Sequence, residues 1–122
     1  MTTLERIAQH KLCYLATPYT RYKDGISMAH VEACKFTAGL IKCGIKVYSP
    51  IAHSHMVALY GSLDPVDHDL WKTVDQVFLE LADALIVAEL PGWLESKGVY
   101  NEIAYFDVVK KPIYYLPGDC FV

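Results

Sequence analysis

Apolar runs of strand length alternate along the chain with stretches in which apolar residues recur every three or four positions. Thr2 and Glu5 fit a capping box and predict a short helix over 3–10. LCYLAT (12–17) predicts a strand ended by Pro18, and TRYKDG (20–25) a loop. Ser27 to Cys43 reads as a helix with Val31, Cys34, Ala38 and Ile41 on one face, closed by Gly44. KVYS (46–49) predicts a second strand stopped by Pro50. IAHSHMVALYG (51–61) predicts one short helix, and LDPVDHD (63–69) a turn with helix-start residues. From Asp69 to Leu81, residues Leu70, Val74, Val77, Phe78 and Leu81 repeat with a helical period. DALIVAEL (83–90) is nearly all apolar, which suits a strand covered on both faces. Residues 99–109 predict a helix with Lys110 and Lys111 at its C-terminal end, and PIYYL (112–116) the last strand.

Strands alternate with helices, and the central strand is apolar throughout. This predicts one α/β domain over residues 1–122: three layers, with a small parallel sheet of about four or five strands between helices, flavodoxin- or Rossmann-like. In such sheets ligands bind in the crevice beyond the carboxyl ends of the strands. Glu102 follows strand 83–90, in the first turn of the next helix, and so belongs on the rim of that crevice. The loops Thr17–Arg21 and Ser49–His55 reach the same rim, as does the N-terminal half of helix 69–81 with Asp69 and Asp75.

Composition narrows the function. Hydrophobic residues make up 53% and charged residues 20%, enough apolar content for a core and too little charge for disorder. The net charge of −3 and the absence of a Lys/Arg cluster give no nucleic-acid or membrane-surface footprint. MTTLERIAQHKL lacks the apolar stretch of a signal peptide, and no apolar run is long enough to span a membrane. Cys13, Cys34, Cys43 and Cys120 form no CxxC pair, so they read as reduced thiols of a cytoplasmic protein.

Glu102 and Asp75 are the chemical core of the crevice. Two acids facing one substrate are the tools of glycosidic bond cleavage: one attacks the anomeric carbon while the other assists the leaving group or orients the nucleophile. The helix dipole would keep Glu102 ionised, as a nucleophile requires. The simpler readings are a favourable first-turn acid for Glu102 and an exposed carboxylate paired with Lys72 for Asp75.

The stretch from Asp75 to Leu116 resembles the nucleoside 2-deoxyribosyltransferase superfamily, which includes nucleoside 5′-monophosphate N-hydrolases. The shared frame is Asp75 eight residues before Asp83, an apolar strand, Ser96-x-Gly98, Glu102 and a final strand opened by Lys111-Pro112. YLATPYT (14–20) looks like that superfamily's first strand and loop. SPIAHSH and the PGW turn look most like a short bacterial and phage branch. The resemblance spans residues 12–116 and implies that Glu102 attacks C1′ of the sugar, with Asp75 beside the base. Ser96 and Gly98 would contact the sugar or its 5′ substituent, and Tyr14 or, preferably, Tyr19 would lie by the sugar. The loop Thr17-Pro18-Tyr19-Thr20-Arg21 stands where those hydrolases carry a glycine- and serine-rich phosphate loop. Arg21 offers a charged fork there, or is a solvated loop residue. The implied reaction is retaining, through a glycosyl ester on Glu102 resolved by water or by a second base. A homo-oligomer is also implied.

His53, after the second strand, is placed to bond the base or a carboxylate. His53, His55 and His68 do not have a metal motif's spacing, so neither metal nor cofactor is expected. Trp93 and Trp71 are candidates to stack on a base or to pack against helices. Two readings of the crevice stand: an N-glycosidase or deoxyribosyltransferase for a small nucleoside or nucleotide, and a nucleotide-binding module without catalysis. A metal-dependent hydrolase is a weaker third.

Overall fold

Four strands, all parallel, form one sheet in a computed structural model that describes residues 1–122. They are β1 (Cys13–Ala16), β2 (Val47–Tyr48), β3 (Ala84–Glu89) and β4 (Ile113–Pro117), in the spatial order β2-β1-β3-β4. The helices are α1 (Thr3–Ile7), α2 (Ile26–Lys42), α3 (Pro50–Gly61), α4 (His68–Leu81) and α5 (Lys97–Val108), with a 3₁₀ turn at Trp93–Glu95. The three-layer α/β expectation holds, with four strands and element ends within about three residues of the predicted ones. No helix is long and apolar enough to cross a membrane.

Period-two alternation sorts the sheet into two faces. Cys13, Leu15, Ala84, Ile86 and Ala88 face a core closed by Ile7 of α1 and by Phe36 and Leu40 of α2. Tyr14, Ala16, Leu85 and Val87 face the opposite core, closed by Leu79 of α4 and by Val99 and Phe106 of α5. Strand order reverses between β1 and β3, the place where such sheets open a crevice.

Local capping sets the helix starts. Thr2 and Glu5 form the predicted capping box, Ser49 caps α3 ahead of Pro50, and Asp67 caps α4. Gly44, just beyond α2, takes φ +78, the left-handed conformation that glycine adopts most cheaply. Lys111 has a different role from the predicted one: its Nζ donates to the carbonyls of Glu80 and Ala82 at 2.9 and 2.8 Å and so closes the end of α4.

Two helical faces differ from the pattern reading. In α2 the buried residues are Ala29, Ala33, Phe36 and Leu40, while Val31 and Ile41 are exposed. The predicted face is turned by the packing of Phe36, the bulkiest apolar side chain of the helix. In α4 the sheet-facing residues are Trp71 and Leu79, whereas Leu70, Val77, Phe78 and Leu81 are 36–68% exposed.

Asp83 explains the acid that precedes β3. Its carboxylate accepts from the backbone N–H groups of Leu12 and Lys11 at 2.9 and 3.3 Å and lies 3.0 Å from His10 Nδ1. It thereby latches the start of β1 to β3. Asp83→Ala is expected to lower stability by about 1–3 kcal/mol in denaturant melts while leaving any activity of the folded protein intact.

Candidate active site

Both predicted acids stand in the sheet-facing stripes of their helices. α5 starts at Lys97, because the Ser96 hydroxyl accepts from Val99 N–H at 3.3 Å and caps the helix there. Glu102 therefore lies in the second turn rather than the first. It shares a stripe with Val99 and Phe106, the two fully buried residues of that helix. Asp75 likewise falls between buried Trp71 and Leu79 on α4. Each acid takes a place that spacing assigns to a core residue, which answers why they interrupt apolar patterns.

Beneath them lies Tyr14 on β1, 2% exposed and on the same sheet face as Leu85 and Val87. Its registered neighbour on β2 is Tyr48, with ring centroids 5.8 Å apart. The Tyr48 hydroxyl donates to Asp75 Oδ1 at 3.0 Å and lies 3.4 Å from Nδ1 of exposed His53. The Tyr48 ring stacks on Phe78 of α4 at 4.0 Å and 8°. Asp75 is thus paired with a tyrosine and not with Lys72.

The electrostatics tie the acids together. Burial pushes the Glu102 carboxyl up to about 8; the Tyr14 hydroxyl opposes this, and the charge of Asp75 adds to it. Tyr14 stands close enough to favour the Glu102 carboxylate without closing a hydrogen bond of good geometry. Burial raises Asp75 as well, while the Tyr48 hydroxyl and His53 pull it back down. Tyr14 is raised far above the ordinary tyrosine range by burial and then by the charges of Glu102 and Asp75. A dipole-held, ionised Glu102 is therefore corrected: the dipole acts within the first turn, and burial sets the state of a second-turn acid.

The remaining predicted residues fall into separate environments. Thr17 is buried just past β1, and its Oγ1 has no hydrogen-bond partner. The Tyr19 hydroxyl bonds His55 Nδ1 at 2.7 Å, and the tyrosine beside Glu102 is Tyr14. Arg21 is exposed and forms no ion pair. Ser96 spends its hydroxyl oxygen on the α5 cap, and Gly98 follows within the first turn. Trp93 packs against Tyr115 at 5.9 Å and lines a cleft of about 390 Å³ with Leu94, Tyr100 and Ile103. Trp71 is buried and donates to Asp64 O at 2.9 Å, a packing role.

A second cleft, of about 370 Å³, is lined by Ser27, His55 and Leu59 among others. Neither cleft is lined by Glu102 or Asp75. The histidines do not converge as metal ligands: His53 faces Tyr48, and His55 stacks on His30 with centroids 4.5 Å apart. Tyr48 is the participant that sequence reading passes over. Its strand register with Tyr14 is the only signal that places it there.

The cluster sets two carboxyls of raised proton affinity beside two tyrosine hydroxyls. No curated protein matches the chain. The family model described as a domain of unknown function, DUF1937, matches residues 11–116, a span holding Tyr14, Tyr48, Asp75 and Glu102. The chain belongs to the DUF1937 family.

Proposed function

We propose that the protein cleaves the N-glycosidic bond of a nucleoside or nucleoside 5′-monophosphate, as an N-glycosidase or deoxyribosyltransferase of the nucleoside 2-deoxyribosyltransferase-like type. The observation that carries this reading is that Glu102 and Asp75 stand on α5 and α4, the two helices that cover the Tyr14 face of the sheet, near enough for each to raise the proton affinity of that tyrosine. Glu102, as carboxylate, attacks C1′. Asp75 donates a proton to the departing base, whose nitrogen keeps the electron pair of the broken C1′–N bond. Water, or a second base, then takes the sugar from Glu102 while Asp75 recovers a proton. Tyr14 stabilises the Glu102 carboxylate between the two half-reactions.

No resident metal or cofactor enters the scheme. A nucleotide metabolite as substrate fits a cytoplasmic protein. A homo-oligomer fits the exposed stripe of Leu70, Val77 and Leu81 on α4. Sedimentation analysis is expected to find a dimer or larger species; a monomer at micromolar concentration contradicts that part.

Chromatography of deoxy- and ribonucleosides and their monophosphates, incubated with and without an acceptor base, tests the reaction. Free or exchanged base is expected from at least one substrate. Ligand-induced thermal stabilisation without product marks a binding module instead. Because Glu102 must be ionised while Asp75 still holds a proton, kcat/KM is expected to be bell-shaped in pH, with its falling limb near 8, the value to which burial brings Glu102. A rate that is still rising at pH 9 contradicts that assignment.

A further inference from the structure

We infer that Tyr48 is a positioning residue for Asp75: it holds Oδ1 so that the other carboxylate oxygen faces the sugar–base bond, and His53 sets the direction of the Tyr48 hydroxyl. This role rests on the glycosidase reading above, and it gives a task to the YSPIAHSH segment, which that reading leaves unused.

A phenol has one proton to donate. Whether ionised or carrying on Oδ2 the proton it gives to the base, the Asp75 carboxyl accepts at Oδ1, so the proton of Tyr48 goes to Oδ1, at 3.0 Å. The imidazole Nδ1 of His53, 3.4 Å from the same hydroxyl, must then carry a proton and donate to the tyrosine oxygen. The opposite tautomer would present a lone pair that competes with Asp75 for the phenolic proton. Asp75 Oδ2 makes no hydrogen bond within the protein and stays available to substrate.

The ring is held as firmly as the hydroxyl. Phe78 stacks on it at 4.0 Å, and Phe78 lies one turn from Asp75 on the same helix. Tyr48 is thus gripped by α4 at two points. On the other side it is registered with Tyr14 and followed at once by Ser49, the cap of α3, whose first turn carries His53. α4 buries only Trp71 and Leu79 against the rest of the fold, so the Tyr48 contacts contribute much of what fixes Asp75 over the sheet. The titratable groups around Asp75 are Tyr48, His53, Tyr14 and Glu102, and of these Tyr48 alone makes a direct hydrogen bond to it.

Tyr48→Phe removes the hydroxyl and keeps the stack. It is expected to lower kcat for base release roughly 10²-fold with little change in KM. The carboxyl of Asp75, followed by carbon-13 NMR and assigned through Asp75→Asn, should titrate at higher pH, because the hydroxyl that lowers it is gone. Nitrogen-15 NMR should find His53 protonated at Nδ1 in the wild type and shifted toward Nε2 protonation in Tyr48→Phe. His53→Gln, whose amide still donates, should keep more of kcat than His53→Leu. Unchanged kcat and an unmoved Asp75 titration in Tyr48→Phe overturn the proposal. If the wild-type protein releases no base from any substrate, the glycosidase reading fails. The Asp75 titration and the His53 tautomer then still decide whether Tyr48 orients that acid.

Discussion

Glu102→Gln is expected to abolish base release, by at least about 10³-fold, and at the same time to make the protein more stable above pH 8. Both effects come from one cause. Burial holds the Glu102 proton to about 8 in the folded protein, against an ordinary value of 4.5. Below 4.5 the folded and unfolded chains both carry the proton, and the group costs nothing. Between 4.5 and about 8 the unfolded chain has released it while the folded one retains it, so stability falls as pH rises. Above about 8 the folded protein bears a desolvated charge, and the loss is complete. Glutamine has the same shape and no charge to desolvate, so the variant gains over the wild type from pH 5 to pH 9. Thermal melts at those two values read the difference, which by linkage is of the order of a few kcal/mol. A variant that still releases base removes Glu102 from the nucleophile role. Equal melting at both pH values would mean that the carboxyl is solvated.

Asp75→Asn is expected to slow base release about 10²–10⁴-fold, the usual worth of a positioned proton donor. The asparagine carbonyl still accepts from Tyr48, so the fold is retained. The residual activity carries the sharper test. With no second acid left to keep protonated, the residual rate should rise with pH to a single limb, and because the negative charge of Asp75 raises Glu102, that limb should lie below about 8. A full rate, or a slowed rate that still falls near 8, would separate the two acids and contradict their joint action.

The layered fold was open to sequence reading because each strand is a short apolar run bounded by proline or a polar turn, and α3, α4 and α5 each begin at a side-chain cap. The central strand DALIVAEL could belong only between two helical layers, and Tyr14 and Leu15 had to face opposite sides of the sheet. The acids were legible as residues but not as neighbours in their true setting. Glu102 was assigned to a first turn because Ser96 was not read as the cap, which advanced the helix by two residues.

The α4 pattern misled more deeply. Its most apolar face, Leu70 to Leu81, points outward, and the stripe over the sheet is the weaker series Trp71, Asp75 and Leu79. Periodicity reports where apolar residues lie and not what covers them, so an exposed apolar face can outweigh the face buried within the chain. Tyr48 and the Tyr19–His55 bond were illegible for another reason. Both depend on register and loop path, which local pattern does not specify.

The most direct measurement is the intact mass of the protein after incubation with nucleosides fluorinated at the sugar 2′ carbon, a change that slows formation and breakdown of a glycosyl ester by disfavouring the cationic transition state. The expected result is one fluorosugar per chain, recovered on the peptide that contains Glu102 and absent from Glu102→Gln. Release of base by folded protein without any sugar on Glu102, or a sugar attached to Asp75 in its place, would contradict the assignment of the two acids.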